Sequence, residues 1–202
     1  MTGEDKVKVR RMPVGPLATN CYVVSRGDRA LVVDPGDEGE KIWSYLEDRG
    51  LTLDLIIQTH GHFDHVGATG FLRKKTGADV YMHGADASLV REQEMEDSLP
   101  DHDLGETAEI EWRGLNIQVM LTPGHSPGSV SLIVGPYLFT GDTLFAGGVG
   151  RTDLPGGSVQ KLRNSLRLLL EQDESLEVLP GHGPRTTLPE ERGRNPFLVG
   201  LD

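Results

Sequence analysis

Short apolar runs separated by turn residues dominate the first half of the chain. They predict β-strands over residues 7–12, 21–25, 30–33, 53–58 and 79–82. Helices are predicted over residues 38–49 and 66–76 and, on the surface, over the acidic stretch 85–97, which leads to a polar loop at 101–103. Gly50 and Gly77 follow the first two helices and mark their ends.

The second half repeats this alternation of strands and helices. Strands are predicted over residues 117–121, 129–134, 137–140 and 177–179, and a helix over residues 159–170. Leu162, Leu166 and Leu169 form the apolar stripe of that helix, so we expect them in the core. Two successive halves of strands followed by helices predict an α/β sandwich, in which two sheets face each other and the helices lie outside.

Length, composition and net charge exclude several classes of function. The chain has 202 residues, 37% of them hydrophobic, and no linker-like stretch or repeat, so we expect one domain over residues 1–202. The formal net charge is −11, and an acidic surface repels phosphate backbones, which argues against a nucleic-acid partner. No segment approaches the ~18 consecutive apolar residues of a membrane helix, and the N-terminus lacks an export signal, so we expect neither export nor membrane contact.

The chain contains a single cysteine, Cys21. One cysteine excludes an intrachain disulfide, which fits a reducing compartment, and we therefore expect a cytoplasmic protein. Because Cys21 lies at a predicted strand start, we expect its thiol to be buried in the packing rather than reactive.

Five of the seven histidines lie in three short turns that each follow an apolar strand, and one turn also carries an aspartate. These residues are His60, His62, Asp64, His65, His125 and His182. Loops at the carboxyl ends of strands can present ligands to one point. Imidazole and carboxylate groups suit divalent Zn, Fe or Mn, and six candidates exceed the three or four protein ligands of one zinc. The pattern therefore predicts two divalent metal ions.

A metal pair needs an anionic bridge, and Asp142, at the end of another predicted strand, can supply it. A hydroxide held by both ions is available at neutral pH, because coordination lowers the pKa of water to roughly 7. The chemistry that this cluster predicts is metal-assisted hydrolysis.

Four motifs resemble the successive metal motifs of the metallo-β-lactamase superfamily. They are THGHFDH at 59–65, TPGHS at 122–126, TGD at 140–142 and PGHGP at 180–184. The resemblance implies a four-layer αββα sandwich with a dinuclear site at one edge of the facing sheets. It also assigns the ligands: His60, His62 and His125 to the first metal, Asp64, His65 and His182 to the second, and Asp142 to both.

The VDPG segment at 33–36 resembles the first motif of the same superfamily, whose aspartate supports the metal loops. Two interpretations of Asp34 stay open: it supports the metal ligands from behind, or it only caps its own turn.

Within the superfamily, residues 141–153 and the tail 183–198 are most similar to glyoxalase II and its short bacterial relatives. The resemblance implies hydrolysis of a small-molecule thioester, such as a glutathione derivative, by attack of the metal-held hydroxide on the thioester carbonyl. Asp64 and Asp142 would serve in catalysis. Arg151 matches a substrate-contacting basic position, and the alternative for it is an ion pair with Asp153 or a nearby Glu. We expect no C-terminal glutathione-binding helical domain, and either a monomer or a small homo-oligomer.

Other functions stay open. A persulfide dioxygenase shares the fold and a turn like Gly150–Asp153 but uses a single iron, so the number and identity of the metals discriminate the two. A lactonase or β-lactamase could use the same metals, and a non-catalytic metal-binding module is a further class. The acidic charge disfavours a tRNA-processing nuclease. Neither His83 nor His102 lies in a metal motif, and we expect both to be solvated. We expect Gly147–Gly150 to be a turn over the site rather than a phosphate-binding loop.

Overall fold

The computed structural model describes residues 6–105 and 107–201 and divides the chain into two compact units, Met1–Asp103 and Leu104–Asp202. Each unit is built on one six-stranded mixed sheet with helices beside it. These two sheets confirm the predicted α/β fold class. The interpretation of residues 1–202 as one domain stays a prediction.

The first unit has a sheet in which strand order follows sequence order. Its strands are β1 (Lys8–Val14), β2 (Thr19–Arg26), β3 (Arg29–Val33), β4 (Thr52–Ile57), β5 (Asp79–Met82) and β6 (His102–Asp103). The first three pair antiparallel, and β3 to β6 pair parallel. Its helices are α1 (Gly39–Glu47), α2 (Phe63–Val66), α3 (Thr69–Thr76) and α4 (Ala87–Glu92).

The core of the first unit lies between this sheet and helices α1 and α3. Val32 and Ile56 on neighbouring strands are fully buried, together with Ile42 and Leu46 of α1 and Leu72 of α3. Burying each of these side chains contributes roughly 1.5–3 kcal/mol of transfer free energy. Because β3 and β4 are parallel, the segments that follow them emerge at the same edge of the sheet.

The second unit has a sheet with the order β14-β13-β10-β9-β8-β7. Its strands are β7 (Thr107–Trp112), β8 (Leu115–Leu121), β9 (Val130–Val134), β10 (Tyr137–Gly141), β13 (Glu177–Pro180) and β14 (Thr186–Thr187). A separate two-stranded ribbon joins β11 (Leu144–Phe145) to β12 (Gly148–Val149). The helices are α5 (Val159–Leu170) and α6 (Leu188–Arg194), and a 3₁₀ turn follows at Pro196–Leu198.

Helix α5 packs an apolar face into the core of the second unit. Leu162, Leu166 and Leu169 are buried, which confirms their predicted place in the core. The helix begins where the sequence predicts, because the Ser158 side chain accepts a hydrogen bond from the backbone N–H of Lys161 and caps it.

Two predicted helices are wrong in detail. The helix predicted over 66–76 is divided between α2 and α3, because the backbone N–H of Ala68 donates to the carbonyl of Pro35. The helix predicted over 85–97 contains α4 flanked by 3₁₀ turns at Gly84–Asp86 and Glu96–Ser98. Glu94 takes a left-handed φ of 57°, which a continuing right-handed helix does not allow.

Several short elements were not predicted from the sequence. They are strand β6 in the predicted polar loop, strands β7, β11, β12 and β14, and helix α6. Most are too short for periodicity to show, and their pairing is set by the neighbouring strands. The other predicted strands agree with the observed ones to within two residues. Within the described ranges no helix is long and apolar enough to cross a membrane.

Candidate metal centre

The histidine-rich segment after β4 brings four candidate ligands together within the first unit. His62 is extended (φ −72°, ψ 146°) and precedes α2, which carries the next two candidates, Asp64 and His65. The ring of His60 lies 4.8 Å from that of His62 and 4.1 Å from that of His65, centroid to centroid. His60 and His65 are buried, whereas His62 and Asp64 are half-buried. The segment thus concentrates imidazole and carboxylate groups at one point.

Asp34, directly after the neighbouring strand β3, supports this cluster. One carboxylate oxygen, Oδ1, accepts from the backbone N–H of Thr59 at 2.7 Å. The other, Oδ2, accepts from the Thr59 hydroxyl at 2.7 Å and lies 2.9 Å from Nδ1 of His65. A carboxylate cannot donate, so His65 carries its proton on Nδ1, and Nε2 is the nitrogen that could bind a metal. Asp34 therefore does more than cap its own turn.

The loop that carries Asp34 is pressed against α2. A Cβ atom on Gly36 would lie 1.6 Å from the carbonyl oxygen of Asp64, and one on Gly67 would lie 2.3 Å from the carbonyl oxygen of Gly36. Such contacts are below any real Cβ approach, so both positions require glycine. The close packing fixes Asp64 and His65 relative to β3.

Three supporting residues in the first unit were missed by sequence reasoning. Thr19 donates from its hydroxyl to Oδ2 of Asp64 at 2.7 Å, and Thr59 binds Asp34 as described. Asp86, fully buried, accepts from the backbone N–H of Gly61 at 2.9 Å. Asp86 fell within the stretch predicted as an exposed helix, and a single sequence offers no signal that would place it inside.

The second unit brings together the other three candidates, each after a different strand. Asp142 and His182 follow the parallel strands β10 and β13, so they emerge at the same edge, and His125 follows β8. Asp142 Oδ2 lies 3.6 Å from Nε2 of His125 and 3.5 Å from Nε2 of His182. One carboxylate oxygen therefore lies close to two imidazole nitrogens.

The backbone of Arg151 orients His125. Nδ1 of His125 lies 2.9 Å from the carbonyl oxygen of Arg151, and a carbonyl only accepts, so Nδ1 carries the proton. Gly150 makes this approach possible, because a Cβ atom there would lie 1.8 Å from the Asp142 carbonyl oxygen and 3.1 Å from Cβ of His125. His125 thus presents Nε2, as His65 does in the first unit.

The side chain of Arg151 is engaged by Asp153. Its Nε lies 2.7 Å from Oδ1 and its Nη2 lies 2.6 Å from Oδ2, an arrangement in which both partners are exposed. The pairing raises the pKa of Arg151 and lowers the pKa of Asp153 to about 2. The geometry therefore shows the ion pair that was one of the two interpretations of Arg151.

Beside Arg151 lies a cavity of about 450 Å³. Its apolar lining consists of Val149, Val159, Leu162, Leu166 and Phe197. Val159 and Phe197 are more than half exposed, so the apolar wall is open to solvent. A cavity of this size and lining suits the arm of a small organic molecule.

The remaining residues that the sequence singled out lie outside the histidine clusters. His102 is exposed as expected, and its ring stacks on that of Tyr81. His83 is half-buried, and its Nδ1 accepts from the backbone N–H of Ala85. Cys21 is fully buried as predicted, and burial raises the pKa of its thiol. The Gly147–Gly150 segment forms the turn and second strand of the ribbon.

The residues present fit divalent metal ions. In both units a buried imidazole has Nδ1 bound to a supporting oxygen and Nε2 oriented as a ligand atom, the arrangement that accompanies metal-binding histidines. The imidazole and carboxylate donors can bind a metal ion, and they suit Zn, Fe and Mn alike.

Comparison with known proteins places this geometry in a family context. The model of the metallo-β-lactamase superfamily matches residues 14–182. The probable metallo-hydrolase YqgX of Bacillus subtilis is 43% identical, covering 96% of this chain and 99% of that protein. The hydroxyacylglutathione hydrolase GloC of Haemophilus influenzae is 33% identical over 95% of this chain and 98% of its own length.

Solved structures agree in fold. The B3 metallo-β-lactamase BLEG-1 superposes with a TM-score of 0.87 at 35% identity, covering 96% of this chain and all of that one. TTHA1623, solved in a di-iron-bound form, has a TM-score of 0.83 at 40% identity and covers 94% of this chain and all of its own. ETHE1 from Myxococcus xanthus has a TM-score of 0.83 at 30% identity, covering 94% of this chain and 83% of its own.

Proposed function

The chain belongs to the metallo-β-lactamase superfamily of metallo-hydrolases, and from that membership we propose that it hydrolyses small-molecule thioesters with two divalent metal ions. In this proposal the first ion is bound by His60, His62 and His125, the second by Asp64, His65 and His182, and both by Asp142.

The position of Asp142 carries the proposal. Its Oδ2 lies 3.6 Å from the ligand nitrogen of His125 and 3.5 Å from that of His182, and these histidines are assigned to different ions. A carboxylate that serves two ions is the bridge that a dinuclear hydrolase needs. All seven ligand positions hold His or Asp, which also argues against a non-catalytic binding module.

Bound there, two divalent ions would supply a water with a pKa near 7 and positive charge for the acyl oxygen. The protein's part is orientation. Asp34 orients the imidazole of His65, and the Arg151 carbonyl orients that of His125, so that Nε2 of each can bind a metal ion. The Thr19 hydroxyl donates to one oxygen of Asp64. Asp64 can then also orient the proton of the attacking water. In the net reaction the water oxygen bonds to the acyl carbon and the acyl–sulfur bond breaks. The products are the free acid and the carrier thiol, and the two protons come from the water.

The thiol carrier is proposed to lie along Arg151 and the apolar cavity beside it. GloC, one-third identical, is named a hydroxyacylglutathione hydrolase, which supports glutathione as the first carrier to test. In this proposal Arg151 releases the carboxylate of Asp153 and binds a carboxylate of the carrier in its place. We also propose a cytoplasmic location and a monomer or small homo-oligomer that binds neither nucleic acid nor membrane.

A second candidate is a persulfide dioxygenase. Its support is the similarity to ETHE1 and the Gly-Arg-Thr-Asp turn at residues 150–153. A dioxygenase that uses one iron would leave part of the second ligand set without a role. The similarity to the B3 metallo-β-lactamase BLEG-1 makes β-lactam hydrolysis the third candidate.

A panel of three reactions on one preparation separates these candidates. We expect hydrolysis of S-lactoylglutathione, no oxygen uptake with glutathione persulfide, and little turnover of a β-lactam. His62→Ala should abolish the hydrolysis, whereas His83→Ala, which changes a histidine outside the clusters, should not. Oxygen uptake without thioester hydrolysis would assign the dioxygenase, and β-lactam turnover alone would assign the lactamase.

A further inference from the structure

Glu191 is a fully buried carboxylate that the proposed chemistry does not use. Its Oε2 accepts from the backbone N–H of Gly147 at 2.7 Å and from Nδ2 of Asn195 at 2.9 Å. Its Oε1 accepts from the hydroxyl of Thr186 at 2.6 Å and from Nη2 of Arg194 at 3.5 Å. A carboxylate withdrawn from water is tolerated only where such charge-assisted hydrogen bonds replace its hydration. The side chain is therefore committed to holding Gly147, which forms the turn of the ribbon.

Asn195, just past the end of α6, holds both strands of the same ribbon. Its Nδ2 also donates to the carbonyl oxygens of Gly148 at 3.0 Å and of Phe145 at 3.4 Å. Its Oδ1 accepts from the backbone N–H of Phe197 at 3.1 Å, and only 2% of the residue is exposed. The end of α6 thus binds β11, β12 and the turn between them.

The two-stranded ribbon depends on hydrogen bonds from outside it, such as those of Glu191 and Asn195. It pairs only two residues with two, and a hairpin of this size is not stable alone in water. It begins two residues after Asp142 and leads directly into Gly150 and Arg151, whose carbonyl accepts from His125. The ring of Phe145 also packs edge-on against His182, 6.0 Å between centroids.

We propose that Glu191 and Asn195 are positioning residues that hold the ribbon so that the Arg151 carbonyl orients His125 and Phe145 packs on His182. Among the described residues, no hydrogen bond joins Glu191 or Asn195 to a candidate ligand, so both act through the ribbon. The inference rests on the proposed function, because it assigns these two residues to the same metal centre.

Three variants separate the hydrogen bonds from the charge. Glu191→Gln can keep the bonds to the ribbon, since Oε1 still accepts from Gly147 and Asn195 while Nε2 donates to the Thr186 hydroxyl. It loses only the 3.5 Å contact with Nη2 of Arg194, because Nε2 cannot accept. Glu191→Ala removes every acceptor. Asn195→Asp keeps the size but replaces the donor Nδ2 with an oxygen that faces one carboxylate and two carbonyl oxygens. If Glu191→Ala does not fold, Asn195→Asp carries the test.

Thr187→Ala is the matched control. The Thr187 hydroxyl caps α6 by accepting from the backbone N–H of Glu190 at 3.3 Å, and none of its described hydrogen bonds reaches the ribbon. Its removal weakens the same helix and leaves the Glu191 and Asn195 side chains in place.

The measurements are amide hydrogen exchange of Gly147 on metal-free protein, the His125 tautomer by NMR, metal affinity, and kcat and KM for S-lactoylglutathione. We expect faster exchange in Glu191→Ala and Asn195→Asp, with metal affinity and kcat lowered about tenfold or more and KM changed less. Glu191→Gln should stay within about threefold of wild type. Thr187→Ala should lower Tm but keep the metal affinity.

Equal loss of metal affinity in Thr187→Ala and Glu191→Ala would overturn the inference, because helix stability alone would then explain both. Wild-type metal affinity in Asn195→Asp would overturn it as well. If the wild type hydrolyses no thioester while exchange at Gly147 and the His125 tautomer respond as expected, the proposed function fails and the positioning role stands.

Discussion

Nδ1 of His125 lies 2.9 Å from the carbonyl oxygen of Arg151, and this contact decides which nitrogen of the ring can bind a metal. The same relationship recurs in the first unit, where Asp34 accepts a hydrogen bond from Nδ1 of His65. In both cases the supporting oxygen comes from a segment that glycine lets approach closely, Gly150 in one and Gly36 in the other. The glycines are thus part of the ligand geometry.

Gly150→Ala should therefore disrupt the centre without changing a ligand. The new Cβ would overlap the Asp142 carbonyl oxygen at 1.8 Å and displace the Arg151 carbonyl. We expect metal affinity to fall at least about tenfold, measured by competition with a chelator. Gly148→Ala is the control, since its Cβ would make an ordinary contact with the Phe145 side chain, at 3.9 Å from the nearest atom. Equal behaviour of the two variants would contradict this interpretation.

Asp34→Asn tests the support of His65. An amide has one acceptor oxygen where the carboxylate serves both Thr59 and His65, so one partner must lose its bond. We expect metal affinity to fall about 10- to 100-fold. Asp37→Asn, in the same loop but exposed, should change it little. An unchanged metal affinity in Asp34→Asn would show that Asp34 only stabilises its own turn.

Asp153→Asn tests whether the ion pair restrains Arg151. Without its partner, the guanidinium should bind an anionic carrier better. We expect KM for S-lactoylglutathione to fall by no more than about fivefold with kcat unchanged, since an exposed ion pair is weak. Arg151→Ala should raise the same KM. Asp173→Asn makes the same charge change elsewhere and is the control. An unchanged KM in both Asp153→Asn and Arg151→Ala would place Arg151 outside the carrier site.

The same pair predicts a pH dependence. Pairing lowers the pKa of Asp153 from an ordinary 3.8 to about 2, so any stabilisation that the pair provides is complete above pH 3.8 and is lost as pH falls through 2. The difference in stability between wild type and Asp153→Asn should therefore be constant from pH 5 to 9 and shrink only in strong acid. Urea unfolding across this range measures it, and a difference that changes between pH 5 and 9 would contradict the assignment.

Leu166→Ala tests the core that supports α5. The side chain is 2% exposed, and deleting it should lower the free energy of unfolding by about 2–5 kcal/mol. Leu168→Ala, on the same helix but 36% exposed, should cost about 1 kcal/mol or less. Urea denaturation of both gives the comparison, and equal losses would show that the α5 stripe is misassigned.

The sequence predicted those parts of the molecule that periodicity and motif spacing encode. The α5 stripe, the strands that lead to the histidines and the fold class follow from local pattern, and the ligand candidates follow from residue types that only metal chemistry explains together. It did not predict that Glu191 and Asn195 are buried and hold the ribbon. A single sequence does not distinguish a buried glutamate on a short helix from an exposed one. The Asp34–His65 contact, 31 residues apart, depends on the parallel pairing of β3 and β4.

Metal content per chain, measured by elemental analysis beside S-lactoylglutathione hydrolysis, tests the dinuclear centre most directly. We predict two equivalents of divalent metal per active chain, loss of hydrolysis on chelation, and recovery when two equivalents of zinc, iron or manganese are restored. Asp142→Ala should lower the metal content and abolish turnover, because it removes the bridging carboxylate. One equivalent of metal per chain at full thioesterase activity would contradict the account.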